Sequence, residues 1–359
     1  MDAPSLWSPL LLLFSVFSLS ISSDLRRFVL LSEEKKNWEG AQKKCEEEKS
    51  HLVTVNDDHD YKVLGAFGTM VSCHLGLHKK DRSQSEWSNG DQVTFSQSNV
   101  SPTNQSLCET IERDEWTGYK CLDTKYFMCY TSSDYQLIEK KKNWCDARRY
   151  CRKHHTDLVS ISSRQQNEAV IKRGANRTFW IGLTHDQFEW DDGQCSTFKA
   201  IDGFDTSQHK CLNWSPIIPP VSWDSCDIPR SVVCVQGKFR ITAPPQRLTW
   251  EEAFDYCKEN HHGLLFIRGE GEQESLRQWL REHTGPGPFW IGLRQSRLFG
   301  FWMWATVDQV ADYSNWKDDR PPELPLSHHC GVVAKPSYKW RAEPCHTKLN
   351  FLCVEDMNP

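Results

Sequence analysis

One hydrophobic pattern recurs three times along the chain on an otherwise charged background. Trp is followed by Ala three residues on and by Cys four further on. The copies are Trp38/Ala41/Cys45, Trp144/Ala147/Cys151 and Trp250/Ala253/Cys257, spaced 106 residues apart both times. Positions i, i+3 and i+7 share one face of a helix, so each copy predicts an amphipathic helix with Trp and Cys inward. Charges such as Lys43-Lys44 and Glu46-Glu47 belong to its solvated side. Seven residues after each Cys a short apolar alternation begins: Leu52-Val53-x-Val55, Leu158-Val159-x-Ile161 and Leu264-Leu265-x-Ile267. This predicts a buried strand. A second helix is expected next, as over Glu272 to Glu282 in the third copy. Then comes Phe179-Trp180-Ile181-Gly182-Leu183, matched by Phe289-Trp290-Ile291-Gly292-Leu293 and, more loosely, by Cys73-His74-Leu75-Gly76-Leu77. A Gly in such a strand points to close backbone approach or a bulge. A long turn-rich stretch completes each copy.

Each copy closes on three further cysteines: Cys108/Cys121/Cys129, Cys211/Cys226/Cys234 and Cys330/Cys345/Cys353. Four cysteines per copy allow three connectivities, and sequence alone does not choose among them. The repeat favours a first-to-last bridge around the whole copy and a short bridge between the middle two. On the chain-entropy account the long loop contributes about 4–5 kcal/mol and the short one roughly 3. A zinc reading is weak, because no Cys-x-x-Cys pair occurs and an oxidising compartment pairs such thiols.

Composition narrows the function classes. The 359 residues suggest two or three domains. Hydrophobic residues at 38% and charged residues at 25% are globular values. The net charge of −5 excludes a nucleic-acid binder driven by bulk charge. The 15 cysteines suggest secretion, and the 16 tryptophans suggest several small aromatic cores. Met1 to Ser23 reads as a signal peptide: Leu10-Leu11-Leu12-Leu13-Phe14 opens an apolar run to about Ile21, with small Ser20 and Ser22 near the cleavage point. The alternative is an uncleaved anchor, but a run of about a dozen residues is short of the ~20 needed to span. No stable membrane span is expected elsewhere. The expected location is secreted, extracellular.

These motifs together resemble the C-type lectin-like domain family: the Trp-x-x-Ala-x-x-x-Cys helix, the Trp-Ile-Gly-Leu strand and the four-cysteine frame. The resemblance covers three tandem copies, residues 24–130, 131–235 and 236–354, between the signal at 1–23 and a tail at 355–359. It implies an α+β fold, each domain with two helices, small antiparallel sheets, a long ligand-carrying loop region and two disulfides. The expected bridges are Cys45–Cys129 and Cys108–Cys121, Cys151–Cys234 and Cys211–Cys226, and Cys257–Cys353 and Cys330–Cys345. Cys73, Cys145 and Cys195 fall outside the frame. Cys145 and Cys195 either bridge or stay reduced. Cys73 reads as a small buried hydrophobe, with an intermolecular disulfide as the alternative. The cysteine total is odd, so at least one thiol has no intramolecular partner.

In sugar-binding members of this family, a calcium ion holds two sugar hydroxyls. The ligands come from a Glu-Pro-Asn or Gln-Pro-Asp triplet, an acid near the next Cys and a Trp-Asn-Asp triplet. Calcium needs six to eight oxygens, and this chain departs at nearly every position. The third copy has Arg320-Pro321-Pro322, then His328-His329-Cys330, then Trp340-Arg341-Ala342. Guanidinium groups repel the ion and offer no lone pairs. The second copy keeps one carboxylate in Trp223-Asp224-Ser225, and the first has Trp116-Thr117-Gly118. Calcium is therefore not expected at the usual sugar site, and no other cofactor is. Trp116, Trp223 and Trp340 read as core. Asp318, Asp319 and Glu323 read as solvated surface.

No hydrolase, metalloprotease or phosphate-loop motif occurs, so the chain reads as non-enzymatic. The first helix of the second copy is basic through Lys140-Lys141-Lys142, Arg148, Arg149, Arg152 and Lys153. That is either a solvated face or a contact for a sulfated glycan or an acidic protein surface. Four glycosylation sequons start at Asn99, Asn104, Asn176 and Asn213. The third copy has none, so its surface is the least shielded. The expected function is extracellular recognition: calcium-independent carbohydrate binding as a lectin, with protein binding through the same loops as the alternative. The expected partner is a glycan or glycoprotein. The ligand-binding candidates are Trp302, Trp304, Trp316, Arg320 and Arg341, chosen because they occupy the family's ligand loops.

Overall fold

A computed structural model describes residues 23–79, 85–100, 107–132, 134–185, 188–195, 210–217, 221–283, 285, 287–296, 298–322 and 328–357. The three predicted helices form as α1 (Trp38–Glu47), α3 (Trp144–His154) and α5 (Trp250–Asn260). Each has a side-chain N-cap, from Asn37, Asn143 and Thr249, which satisfies a backbone N–H the first turn leaves open. Thr249 and Glu252 complete a capping box. The second helices are α2 (Asp58–Gly65), α4 (Arg164–Gly174) and α6 (Glu270–Glu282).

The repeated Trp performs one job three times. Its indole N–H donates to the third residue of the Gly-containing strand in its own copy. Trp38 reaches the Leu75 carbonyl at 3.0 Å, Trp144 that of Ile181 at 2.8 Å and Trp250 that of Ile291 at 2.8 Å. The Gly of that strand lies against the buried apolar segment. A Cβ on Gly182 would stand 3.1 Å from the Val159 carbonyl oxygen, and one on Gly292 3.0 Å from that of Leu265. The glycine therefore permits the close approach.

Copy three closes on itself. Strand Cys353–Asp356 pairs with Phe239–Thr242 and Gly263–Leu264, and Asn350–Phe351 runs parallel to Phe289–Gln295. Copies one and two do not. The last strand of copy one, Lys125–Tyr130, pairs with Tyr135–Lys142, Asp157–Leu158 and Phe179–Thr184, all from copy two. The last strand of copy two, Arg230–Gln236, pairs with Arg27–Lys36, His51–Leu52 and Cys73–His74, all from copy one. The two copies have exchanged their second halves.

The disulfides follow the exchange and correct two expected pairings. Cys45 bridges Cys234, not Cys129, and Cys129 bridges Cys151, so Cys151–Cys234 does not form. The physical reason is the repeat itself. Two copies of one pattern offer chemically equivalent partners, and a spacing argument cannot tell an own strand from a neighbour's. Cys108–Cys121, Cys211–Cys226, Cys257–Cys353 and Cys330–Cys345 pair within their copies. Cys145 bridges Cys195, and Cys73 is a buried free thiol.

In space, unit I is formed from the described residues of 24–79 and 188–236, and unit II from those of 85–185. Unit III begins at about Phe239. Both crossings fall at the same point of the repeat. Leu77–Lys79 is paired with Phe188–Trp190, and Glu86–Trp87 with the end of Phe179–Thr184. The sequence repeats 24–130 and 131–235 are thus not two separate bodies.

The units are joined. Leu25 enters the core of unit III and bridges to Phe239. Gln278 of α6 makes two bonds of 2.8 Å to the Phe28 backbone. Lys153 at the end of α3 donates to the His261 carbonyl at the end of α5, where a cation suits the negative helix terminus. The Cys145–Cys195 bridge ties α3 of unit II to the turn after Phe188–Trp190 of unit I.

Candidate recognition surface

The tryptophans expected in the ligand loops are core residues. Trp302, Trp304 and Trp316 are 6%, 1% and 3% exposed. The Trp302 and Trp316 rings lie 4.6 Å apart, and Trp304 meets Trp340 edge to face at 5.3 Å. Trp316 also bridges to Trp340 through the backbone, and the Trp340 indole donates to Gln273 at 3.0 Å. Rings packed this way cannot face a ligand, which corrects their expected role. Tryptophan is simply the largest filler for an aromatic-rich core.

The charged candidates stand elsewhere. Arg320 is exposed, and Arg341 is half-buried on strand Trp340–Pro344 opposite Val332. Nε of Arg341 is buried without an acceptor. Asp319 is bound to Lys339 at 3.0 Å, and Asp318 is exposed. Glu323 lies outside the described residues. In unit I the retained carboxylate of Asp224 is paired with Arg230 at 2.8 Å. In unit II Trp116 is buried and donates to Asn167 at 2.9 Å. Trp223, expected in the core, is only partly buried and lies 5.3 Å from Phe188.

Two groups were not read from the sequence. The first is a buried polar chain in unit II. The Ser85 hydroxyl is 2.7 Å from His185 Nδ1, and His185 Nε2 is 2.8 Å from Glu109 Oε1. Ser98 also meets Glu109. Hydroxyl, imidazole and carboxylate are the residue types of a hydrolytic triad. Here His185 and Glu109 are buried and bind one another across strands Leu107–Glu112 and Phe179–Thr184. His185 also donates its backbone N–H to the Leu107 carbonyl at 2.8 Å. The chain holds two strands together. Its only sequence signals are Glu109 beside Cys108 and His185 after the Gly-containing strand.

The second group is an apolar patch on unit III. Leu298, Phe299 and Phe301 are 78%, 74% and 42% exposed, and Val310 on the adjoining hairpin is also exposed. The Phe299 and Phe301 rings are nearly parallel, 3° apart in plane, with centroids at 5.9 Å. Gly300 between them has φ +76°, a turn that favours glycine. Several large apolar side chains exposed together mark an interaction surface. The run Leu298-Phe299-Gly300-Phe301-Trp302 carries this signal in sequence, but burial of its last member hides the exposure of the others.

Among the sequons, Asn99 and Asn176 are exposed, and Asn104 lies outside the described residues. Asn213 is buried on strand Lys210–Trp214, between His74 and Ser222, and donates to the Cys211 carbonyl. At 1% exposure the Asn213 amide leaves no room for a glycan, which goes against that expectation.

Helix, strand and disulfide frame define three α+β modules of a ligand-recognition class. The Lectin C-type domain model matches residues 34–131, 140–236 and 246–355, and the chain belongs to this family. The human secretory phospholipase A2 receptor is 24% identical over 411 aligned positions, covering 89% of this chain and 27% of the receptor. The chain therefore spans well under half of that relative's length. Lectoxin-Enh3, a C-type lectin of Pseudoferania polylepis, is 30% identical over 139 residues, 37% of this chain and 81% of that protein. The carbohydrate-recognition domain of the mouse scavenger receptor C-type lectin matches with a TM-score of 0.30 and 22% identity, over 34% of this chain and 92% of that one. Like its relatives the chain is a lectin-domain protein, and no helix among its described residues is long and apolar enough to cross a membrane.

Proposed function

We propose that this chain is an extracellular, non-catalytic recognition protein that binds a glycan or glycoprotein without calcium. Its primary contact is the patch Leu298, Phe299, Phe301 and Val310 of unit III, with Arg320 as a charged contact. The observation that supports this most is the parallel, exposed Phe299–Phe301 pair on the one copy without a sequon. An exposed phenyl face accepts the C–H face of a sugar ring or an apolar side chain. Calcium independence is supported by Arg320 and Arg341 in the family's ligand positions, and by the commitment of Asp319 and Asp224 to cations. The aliphatic Leu298 and Val310 favour the second reading, a protein ligand, since aliphatic groups add little to a sugar contact.

The test is a glycan array of the whole chain, run with calcium and with chelator, beside saturation binding to cell-surface glycoprotein before and after deglycosylation. Equal array signals in both conditions, lost in the Phe299→Ser/Phe301→Ser double variant, support the sugar reading. Binding to the deglycosylated protein alone supports the second. Binding abolished by chelator overturns the calcium-independent reading.

A further inference from the structure

A second feature stands apart from that patch, where the three units meet. A partly open cleft of about 250 Å³ is lined by Arg148, Arg149 and Arg152 of α3 from unit II. Unit I contributes Gly193 and Cys195, which is bridged to Cys145 of α3, and unit III contributes Met357. The volume approaches the ~300 Å³ lower end of small-ligand pockets. A helix and a disulfide form two of its walls.

Charge within it is uneven. Arg149 is held by Asp146 at 2.9 Å and by Glu355 at 3.2 Å. Arg152 is held by Asp157 at 3.0 Å and donates to the Ser88 carbonyl at 2.9 Å. Arg148 immediately precedes Arg149 in sequence, and the i, i+4 spacing places it on the same face as Arg152. Its Nε is buried with no hydrogen-bond partner, and no described carboxylate forms an ion pair with it. Burial, together with the charges of Arg152 and Arg149, pushes its guanidinium down to about 10. It is still cationic at physiological pH. Arg148 is half-buried, and a cation partly removed from water without a counter-ion is costly, a cost that a bound anion offsets.

We propose that this three-way cleft is an oxyanion-binding site, in which Arg148, flanked by Arg149 and Arg152, receives a sulfate- or phosphate-type group carried on a monosaccharide-sized body. The planar guanidinium fork matches the paired oxygens of such a group. The carboxylates of Asp146, Asp157 and Glu355 form their ion pairs with the flanking arginines and fix those side chains, and Asp157 acts on Arg148 through its charge without an ion pair. This site is distinct from the phenylalanine patch, and neither depends on the other.

The experiment is calorimetric titration of the whole chain at constant ionic strength with N-acetylglucosamine 6-sulfate, glucose 6-phosphate, unmodified N-acetylglucosamine and sodium sulfate. The sulfated or the phosphorylated sugar binds, and the tighter of the two identifies the source of the oxyanion. Arg148→Gln weakens that binding about tenfold or more, as loss of a charge-assisted bidentate contact predicts. The exposed control Arg164→Gln does not. Because Arg148→Gln removes a half-buried charge that has no ion pair among the described residues, its melting midpoint without ligand stays equal to or above that of the parent chain. The proposal is overturned if neither charged sugar binds at millimolar concentration. It is equally overturned if Arg148→Gln binds unchanged, or if sodium sulfate alone raises the midpoints of parent and variant by the same amount.

Discussion

Cys45 on α1 is bridged to Cys234 in the last strand of the second repeat, 189 residues further along the chain. The bridge passes over the whole of unit II, including the Cys129–Cys151 bond. In the chain-entropy account a loop of that length stabilises the fold by about 5 kcal/mol.

The exchange is decided by one cut. A protease site inserted between Thr131 and Ser132 separates the first repeat from the second in sequence. With Cys45–Cys234 and Cys129–Cys151 formed, the two fragments stay joined on a non-reducing gel and part only on reduction. Two bands without reductant would mean that each repeat closes on itself.

Autonomy of the pieces follows from the same topology. Residues 24–130 alone contain α1 and strand Arg27–Lys36 without their partner Arg230–Gln236, and are expected to remain unfolded. Residues 85–185 form one continuous unit with Cys108–Cys121 and Cys129–Cys151 intact. With Cys145→Ser, this fragment is expected to give a cooperative melt in circular dichroism. The reverse result for the two fragments contradicts the exchange.

Acid is expected to weaken the contact between units I and III. His283 stacks on Trp279 at 4.4 Å, faces His59 at 6.3 Å and meets Phe289 at 5.5 Å. Burial, then the nearby His59, Lys335 and Lys62, lowers its pKa to about 4. The unfolded chain takes up this proton near pH 6.5 and the folded chain only near 4. Stability from the neutral ring is therefore full above about 6.5 and is lost as pH falls toward 4. Allowing for partial solvent screening, the loss is on the order of 1 kcal/mol. Melting midpoints of parent and His283→Gln across that range check it. The variant shows the shallower decline, and identical slopes would refute the assignment.

Cys73 is expected to be inert. It is fully buried, and desolvation pushes its thiol up to about 12. Iodoacetamide leaves it unlabelled in the native chain and modifies it once in denaturant. Native labelling, or a covalent dimer lost in Cys73→Ala, would show that the thiol is accessible.

The local elements were legible because each depends on neighbours within a dozen residues: the Trp/Ala/Cys face of α1, α3 and α5, their caps, and the Gly182 and Gly292 approaches. Strand exchange was not legible. Choosing between Cys129 and Cys234 for Cys45 requires long-range geometry that two similar repeats encode identically. The candidate site shows the same division. Arg320 kept an exposed position because charge stays in water. Trp302, Trp304 and Trp316 are apolar, and nothing local separates a buried indole from a displayed one. In sequence Arg148 belongs to a basic helix, but its lack of an ion pair depends on Asp146, Asp157 and Glu355 binding its neighbours, and Glu355 comes from another unit.

Lys79 and Phe188 are register partners at the neck where the chain leaves unit I and returns. A short turn joining them would excise the middle body and leave one uninterrupted module. What reads in sequence as a tandem duplication is, in space, a host carrying a permuted guest. Such a guest can be exchanged or lost without unravelling its host.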